Sequence, residues 1–271
     1  MESFETLLVD VEGPVARVTM NRPKKANSLN APMWKALKTV FDDLDTDEQV
    51  RVVVLGGQGR FFSAGIDLEF LLSVQKEISR LAEGRKQDYL RRFIIDLQAS
   101  VNAIEYCRKP VIATIQGACI GGGLDIAAAC DMRYATTRTR FCVKEVDLAI
   151  VADLGSLQRL PGIVGQGIAR ELAFTGRSFD GREALSMGLL NGLYPNADEM
   201  TDAVMTVARE LAGKSPLTLR GIKETMNFSR DHSVAEGLGY VAARNAAMLL
   251  STDLEEAVSA YMQKRPPVFD D

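Results

Sequence analysis

Residues 111–130 read VIATIQGACIGGGLDIAAAC, a buried-type strand that runs through a glycine-rich loop into a small, apolar helix. The strand is predicted over Val111–Gln116 and the helix over Leu124–Cys130. Glycines 121–123 let a ligand approach the backbone closely, and the N–H groups at a helix start suit a developing negative charge. The spacing fits neither GxGxxG nor GxxxxGK[ST], which argues against dinucleotide and P-loop sites. A tight strand–helix joint with no ligand is the alternative at this point.

A second strand-to-loop unit lies upstream. VVVL at Val52–Leu55 is a short buried-type strand, closed by Gly56-Gly57 and followed by FFSAGIDL at residues 61–68. Alternation predicts another strand at Val15–Asn21, helical spacing predicts a helix at Asn30–Asp43, and Met132–Thr137 reads as a further strand. Strands connected by crossing helices indicate an α/β fold class.

Helical patterns fill the remainder of the chain. Leu68–Tyr106 is predicted to form two helices, with Gly84 as its one internal weak point. From Asp198 onward only helices are expected, namely Met200–Leu211, Thr218–Met226, Ser233–Leu250 and Thr252–Lys264. We therefore expect a core at residues 1–197 and a helical region at 198–271 that docks on the core or on a neighbouring subunit.

Three acids follow the glycine loop. Asp125 falls in the first turn of the predicted helix, where the helix dipole alone favours it. Glu145 sits in the apolar stretch FCVKEVDLAIV, where burial would raise its pKa into the range of a working acid or base. Asp153 lies in ADLGS, which also looks like a helix N-cap. Asp147 competes with Glu145, since the two would share one face of a strand.

Composition narrows the classes of function. The net charge of −4 gives no global basic field, so neither nucleic acid nor an anionic membrane is an expected partner. No apolar run reaches the ~20 residues of a membrane helix. The acidic N-terminus lacks the pattern of a secretory signal and PPVFDD is not a peroxisomal tripeptide, so a cytoplasmic location is expected.

The histidine and cysteine content argues against a catalytic triad, a metal site and disulfide bonds. The single histidine, His232, lies in a polar stretch far from the glycine loop, which argues against a Ser-His-Asp machine or a His-rich metal site. The four cysteines have no CxxC spacing and read as reduced, buried thiols. No metal site is expected, and proton chemistry falls to carboxylates, Tyr, Lys or Cys.

Four segments in order resemble the crotonase (enoyl-CoA hydratase/isomerase) superfamily over nearly the whole chain. They are NRPKKANSLN, GRFFSAGIDL, KPVIATIQGACIGGGLDIAAACDMRYA and LQRLPGIVG with the following ELAFTGRSFDGREALSMGLLNGLYP. The resemblance implies a spiral of ββα units, a C-terminal helical region for association and active-site closure, and homotrimers often paired into hexamers. It also implies an acyl-CoA thioester substrate, with CoA as part of the substrate and no separate cofactor.

The resemblance carries over residue by residue. The backbone N–H groups of Ile66 and Gly122 would form an oxyanion hole for the thioester oxygen, which agrees with the two loops converging on one oxygen. The residues implied at the substrate and CoA are Lys25, Ala26 and Ala64, and the basic pair at Lys264 is a second candidate. Arg22 and Lys24 belong to the same early basic cluster, and a solvated turn is the alternative reading for it.

The acids point to one subgroup. Family hydratases have glutamates at the positions of Asp125 and Glu145 and a small residue near Asp153. The Asp, Glu, Asp set with VADLGSLQRLP instead resembles the Δ3,5-Δ2,4-dienoyl-CoA isomerases. The expected reaction converts 3,5-dienoyl-CoA to 2,4-dienoyl-CoA in unsaturated fatty-acid degradation. Enoyl-CoA hydratase, Δ3-Δ2-enoyl-CoA isomerase and a non-catalytic binding protein of the same fold are the alternatives.

Overall fold

The computed structural model describes residues 4–270 and places nine strands there in two sheets. The strands are β1 (Leu7–Glu12), β2 (Val15–Met20), β3 (Val52–Gly57), β4 (Val111–Ile115), β5 (Ala118–Ile120), β6 (Met132–Thr136), β7 (Arg140–Cys142), β8 (Phe179–Asp180) and β9 (Gly192–Tyr194). Six strands form the larger sheet in the order β1-β2-β3-β4-β6-β9, and β5-β7-β8 form the smaller one. Only β1 is antiparallel to its neighbour in the larger sheet.

Eleven α-helices lie within residues 4–270, together with short 3-10 helices at Pro23–Lys25 and Glu145–Leu148. The α-helices are α1 (Ala31–Thr46), α2 (Leu68–Ile78), α3 (Glu83–Tyr106), α4 (Gly122–Ala129), α5 (Ser156–Val164), α6 (Gln166–Thr175), α7 (Gly181–Ser186), α8 (Ala197–Ala212), α9 (Pro216–Arg230), α10 (Val234–Met248) and α11 (Thr252–Gln263). No helix among these described residues combines the length and apolarity needed to cross a bilayer.

The chain alternates between the two sheets as it advances. β4 enters the large sheet, β5 the small sheet, and α4 follows; β6 and β7 then repeat the alternation. The first unit does the same with less regular structure, because Ser63 after β3 forms a parallel bridge to Cys119 of β5. This is the expected spiral of ββα units, and the α/β class is confirmed.

The large sheet is buried on both faces. Along β3, Val53 and Leu55 belong to the main core, whereas Val52 and Val54 face a second core on the other side. Side chains alternate across a strand, so an all-valine and leucine run fits a strand that is covered twice. Helix α8 covers the second face with buried residues such as Val204.

Most predicted elements are confirmed. The helix expected from Asn30 begins at Ala31, and Asn30 caps it by accepting a hydrogen bond from the Met33 N–H at 3.1 Å. The two helices expected within residues 68–106 are α2 and α3, with the break just before Gly84. The hairpin partner β1 was not predicted; its exposed Leu8 and Val11 blur the alternation that marks a half-buried strand.

The C-terminal helices are also confirmed as elements. Because α8 packs on the sheet, the first helix of the 198–271 region is part of the wall of the core. Helices α9 and α10 pack against each other and expose large apolar side chains, including Leu238 and Met226. The division of the chain at residue 197 stays a prediction.

The junction of α4 with the upstream loop generates a stability test. A methyl group added at Gly123 would lie 2.9 Å from Ser63 Cβ and 3.0 Å from the Ser63 carbonyl oxygen. Gly123→Ala should therefore lower the free energy of unfolding by about 1–3 kcal/mol through overpacking. Urea denaturation followed by circular dichroism measures the change.

Gly239 of α10 is the matched control, since a methyl group there meets no atom within 4 Å. Gly239→Ala should raise the free energy of unfolding by roughly 0.5–1 kcal/mol, because alanine favours the helix. Equal effects of the two substitutions would contradict the close packing assigned to Gly123.

Candidate active site

Two strand-end loops meet at the centre of the site. The Ser63 N–H donates to the Ala118 carbonyl at 2.9 Å, and the Ile120 N–H returns a bond to the Ser63 carbonyl at 3.0 Å. A methyl group placed on Gly65 would lie 3.5 Å from the nitrogen of Gly122 and closer still to Ile120. The loop after β3 and the glycine loop before α4 are therefore in direct contact.

Two backbone donors at this junction are free of protein acceptors. The bonds of Leu29 pass on either side of Ile66, to the Gly65 carbonyl and from the Asp67 N–H, and leave the Ile66 N–H out. Gly122 is the first residue of α4, so its N–H has no partner within the helix. Within residues 4–270, neither N–H donates to a protein acceptor. Sequence reasoning selected both as anion donors, and the fold brings their loops together.

Asp125 is buried in the first turn of α4. Its Oδ1 accepts a 2.6 Å hydrogen bond from the Ser156 N–H, while its Oδ2 is buried without a partner among the described residues. Burial raises the pKa of Asp125 to about 6, against the lowering effect of the Ser156 bonds and of nearby Arg159. The negative charge of Asp153 adds to the raised pKa. Asp125 is thus a carboxyl group that changes charge near neutral pH.

Glu145 lies against the glycine loop. It opens the 3-10 helix that ends at Leu148, and a methyl group on Gly121 would come within 3.0 Å of its Oε1. Gly121 has a φ of +49°, so glycine serves both the backbone and the carboxyl. Burial first, and then the charges of Asp125 and Asp153, raise the pKa of Glu145 to about 7. A pKa near 7 is in the range of a working acid or base, and the role of Glu145 as proton donor stays a prediction.

Asp153 is the most accessible of the three acids. It is half-buried, and burial raises its pKa. Gln98 of α3 donates to the Asp153 backbone carbonyl at 2.7 Å. The charge of Asp153 acts on the pKa of both Asp125 and Glu145, so the fold brings the three predicted acids into one electrostatic group.

Two local expectations were wrong. Asp153 is not a helix cap, because α5 begins at Ser156 with Gly155 in the capping position. Asp147 does not share a strand face with Glu145, because residues 145–148 form a 3-10 helix. Asp147 is exposed and pairs with Lys144 instead, which removes it from the site.

Three of the four predicted substrate contacts are exposed, and Ala26 is half-buried. Ala64 is exposed, and its N–H donates to the carbonyl of Ala26 at 2.9 Å. Lys25 is exposed and forms a 3.1 Å ion pair with Glu69. Lys264 is exposed at the end of α11, where it has left-handed backbone geometry. Their part in CoA binding stays a prediction.

Arg22 has a structural partner. It forms a 2.9 Å ion pair with Asp67 and bonds to Ser28. Burial acts to raise the pKa of Asp67, but the hydrogen bonds from Arg22, Ser28 and the Phe70 N–H outweigh it and lower that pKa. Of the early basic cluster, Arg22 therefore holds the loop that carries Ile66, while Lys24 and Lys25 face solvent.

The described part of the chain contains no cluster of metal-binding side chains. No group of three or more His, Cys, Asp or Glu side chains among residues 4–270 is arranged to hold a metal ion. His232 is exposed and stacks on Phe228, with ring centroids 3.8 Å apart. It plays a packing role between α9 and α10.

Sequence reasoning missed the polar residues behind the acids. Arg159 of α5 is buried and forms a 2.6 Å ion pair with Glu105 near the end of α3. Arg230 at the end of α9 pairs with the same carboxylate. The one available signal was an arginine inside the otherwise apolar segment LQRLPGIV, which fits burial with a partner. Glu105 carries no such signal.

The chain is similar to known proteins over nearly its whole length. The chain is 47% identical over 273 residues to the peroxisomal Delta(3,5)-Delta(2,4)-dienoyl-CoA isomerase of Arabidopsis thaliana, covering 99% of this chain and 98% of that protein. It is 42% identical to the mitochondrial Delta(3,5)-Delta(2,4)-dienoyl-CoA isomerase of Homo sapiens, covering 97% of this chain and 81% of that protein. It is 32% identical to the short-chain-enoyl-CoA hydratase of Clostridium acetobutylicum, covering 97% and 96%.

Structural similarity is equally extensive. The fold superposes on the crystal structure of enoyl-CoA hydratase from Bacillus anthracis with a TM-score of 0.88 and 28% identity, covering 98% of this chain and 99% of that chain. The sequence profile described as enoyl-CoA hydratase/isomerase matches residues 10–271. The chain therefore belongs to the enoyl-CoA hydratase/isomerase family.

Proposed function

We propose that this protein is an enzyme that isomerises 3,5-dienoyl-CoA to 2,4-dienoyl-CoA. The observation that carries the proposal is the group of three coupled carboxyl residues, Asp125, Glu145 and Asp153, beside two free backbone donors. The relatives with 47% and 42% identity are named for this reaction and support the same substrate class. Unsaturated fatty-acid degradation is the corresponding metabolic setting.

The first step removes a proton from C2. The thioester oxygen accepts hydrogen bonds from the Ile66 and Gly122 N–H groups, which stabilise negative charge on that oxygen. Asp153, as a carboxylate, takes the C2 proton. The electron pair of the broken C–H bond spreads over the thioester oxygen and the two conjugated double bonds, giving a dienolate.

The second step adds a proton at C6. Glu145 keeps its proton in a large share of the molecules at neutral pH, because burial and the two neighbouring charges raise its pKa to about 7. It gives its proton to C6, and the electron pair returns through the conjugated system to leave double bonds at C2 and C4. C2 and C6 lie at opposite ends of the dienolate, so two separated carboxyl groups suit the reaction.

Asp125 acts on the site from the interior. Its Oδ1 accepts a hydrogen bond from the Ser156 N–H, and its Oδ2 is buried without a partner among the described residues. Its charge raises the pKa of Glu145, which keeps the proton donor loaded. Asp125 thereby tunes the acid pair instead of exchanging protons with substrate.

The substrate brings its own CoA, and the proposal includes no separate cofactor. Lys25 and Ala26 would lie by the CoA nucleotide, with Ala64 along the pantetheine side and Lys264 as a further cation for the phosphates. Solvent exposure of both lysines supports these roles. Long-range attraction to an anionic substrate has to come from such local cations, since the chain has a net charge of −4.

Association and location complete the proposal. The C-terminal region, residues 198–271, mediates a homotrimer or a hexamer of paired trimers. Its outward apolar side chains support this role, for example Leu250 and Met262, which are 91% and 78% exposed. A cytoplasmic location stays a prediction, whereas the names of the two isomerase relatives place those proteins in peroxisomes and mitochondria.

An assay with a 3,5-dienoyl-CoA tests the reaction. We expect the purified protein to form a 2,4-dienoyl-CoA, seen as a red-shifted absorbance of the conjugated product. A 2-enoyl-CoA is the control substrate for hydration, the activity named for the Clostridium relative. Efficient hydration without any dienoyl isomerisation would assign the hydratase reaction instead.

Substitution of either proton-transfer acid should lower the activity, whereas substitution of a nearby exposed acid should not. Asp153→Asn and Glu145→Gln should each lower kcat for isomerisation by ~10²–10⁴, because each removes one proton-transfer group. Asp147→Asn is the matched control and should stay within about twofold, since Asp147 is exposed and paired with Lys144. Steady-state kinetics measure kcat for each variant whose circular dichroism spectrum matches that of wild type. Near-normal turnover by Asp153→Asn would remove it as the base.

The raised pKa of Glu145 also predicts that the stability of the protein depends on pH. Its pKa rises from the ordinary 4.5 to about 7 on folding, so in this window the unfolded chain has lost a proton that the folded protein retains. The free energy of unfolding therefore falls as pH rises through the window, by up to about 3 kcal/mol for this group.

Glu145→Gln removes that pH-dependent loss, while Asp125 and Asp153 titrate in both proteins. The free energy of unfolding of the variant, minus that of wild type, should therefore increase from pH 5 to pH 8. Urea denaturation at the two pH values measures the difference. Parallel pH profiles for the two proteins would show that Glu145 is not held neutral by the fold.

A further inference from the structure

Two of the three acids depend on one short loop. Asp153 stands at its start, and Ser156 at its end supplies the N–H that binds Asp125 Oδ1 at 2.6 Å. A shift of the backbone between these two residues would move the Asp153 carboxylate and loosen the hold on Asp125 together. The contacts that fix this backbone therefore affect both acids.

The guanidinium of Arg159 lies directly against the loop. Its Nη1 donates to the Leu154 carbonyl at 3.3 Å, and its Nη2 donates to Asn102 Oδ1 at 2.8 Å and to Glu105 Oε2 at 2.6 Å. The side chain is only 8% exposed, so these bonds form away from bulk water, where they are strong. One planar group thus joins the loop to helix α3.

Gly155 shows that loop and arginine are fitted to each other. Its φ is +124°, and a methyl group at this position would lie 1.8 Å from Arg159 Nη1. The guanidinium occupies the volume where any larger residue would put its Cβ. With the guanidinium in this place, the loop can take its path only with glycine at 155.

One face of α3 supports the whole arrangement. Gln98, Asn102 and Glu105 are spaced four and three residues apart and so share a face. Gln98 binds the Asp153 carbonyl at 2.7 Å, and the other two bind Arg159. Arg230 pairs with Glu105 from the end of α9, so a second cation compensates the buried carboxylate.

We propose that Arg159 is a positioning residue: anchored by Glu105 and Asn102, it fixes the backbone from Leu154 to Ser156 and so sets the place of both Asp153 and Asp125. The consequence for turnover rests on the proposed isomerase function. The consequence for the geometry and titration of Asp125 does not.

The charged and titratable groups around Asp125 come from four neighbouring segments. Arg159 and Asp153 face it from α5 and the preceding loop, Glu145 from the 3-10 helix, and the Cys119 thiol from β5. Arg159 is the cation in this group, and it lowers the pKa of Asp125. Removing Arg159 takes away that cation and slackens the Ser156 bond, and both changes raise the pKa of Asp125.

The test compares Arg159→Met, Arg159→Lys and Gly155→Ala with wild type, using the full-length protein. Arg159→Met should lower kcat by about 10²-fold with KM within about threefold, because the oxyanion loops and the CoA side are untouched. The pKa of Asp125 should rise in the same variant, because the cation that lowers it is removed. Arg159→Lys keeps the charge without the planar fork and should recover part of both effects.

Gly155→Ala disturbs the same loop without removing the cation, because it strains a backbone with a φ of +124° and displaces the guanidinium. It should lower kcat in the same way as Arg159→Met. Arg108→Met is the matched control, since Arg108 lies just after α3 and also pairs with a carboxylate, that of Asp45, but on the exposed surface. It should leave kcat and the pKa of Asp125 unchanged.

A direct titration keeps the inference independent of turnover. Carbon-13 NMR of the aspartate carboxyl groups, with the Asp125 signal assigned by Asp125→Asn, should show a higher pKa for Asp125 in Arg159→Met than in wild type. If wild type fails to isomerise dienoyl-CoA, the proposed function is wrong and this titration alone judges Arg159. A wild-type pKa of Asp125 in folded Arg159→Met, or wild-type kcat, would overturn the positioning role.

Discussion

The hydrogen bond from the Ser156 N–H to Asp125 Oδ1 is the interaction on which the site depends. It is 2.6 Å long and links the first turn of α4 to the first turn of α5. The same α4 begins at Gly122, so the N–H that we propose to bind the thioester oxygen and the Asp125 carboxyl belong to one element. A helix start that is joined to the next helix through a side chain fixes geometry better than a free loop.

Burial of acids without full compensation gives the site its chemistry. Asp125 Oδ2 and Glu145 Oε2 are both buried and unpartnered within residues 4–270. In water these groups would ionise well below neutral pH, but the fold raises the pKa of one to about 6 and of the other to about 7. Such groups cost folding free energy, and surrounding structure has to hold them. The buried ion pair of Arg159 and Glu105 is part of that structure.

Elements and motifs were more predictable from sequence than local contacts. The helix after Asn30 is predictable because its apolar residues recur at helical spacing, and the glycine loop is predictable as a place of close backbone approach. Glu145 and Asp153 were found as acids, but their 3-10 and pre-helical settings were not. Turns and caps depend on which distant groups satisfy the backbone, and sequence spacing does not carry that information. The pairing of Arg159 with Glu105 joins residues 54 positions apart, so no local pattern marks it.

The strand order of the large sheet bears on how the chain is made. The order β1-β2-β3-β4-β6-β9 follows the sequence, with the missing numbers accounted for by the small sheet. Each new strand of this sheet therefore joins an edge that is already present when the ribosome releases it, and no strand has to insert between two paired neighbours. Parallel pairing over long connections is slow when a chain searches from the fully unfolded state. Growth from one edge lets synthesis itself set the sequence of pairing events, with β9 as the last addition.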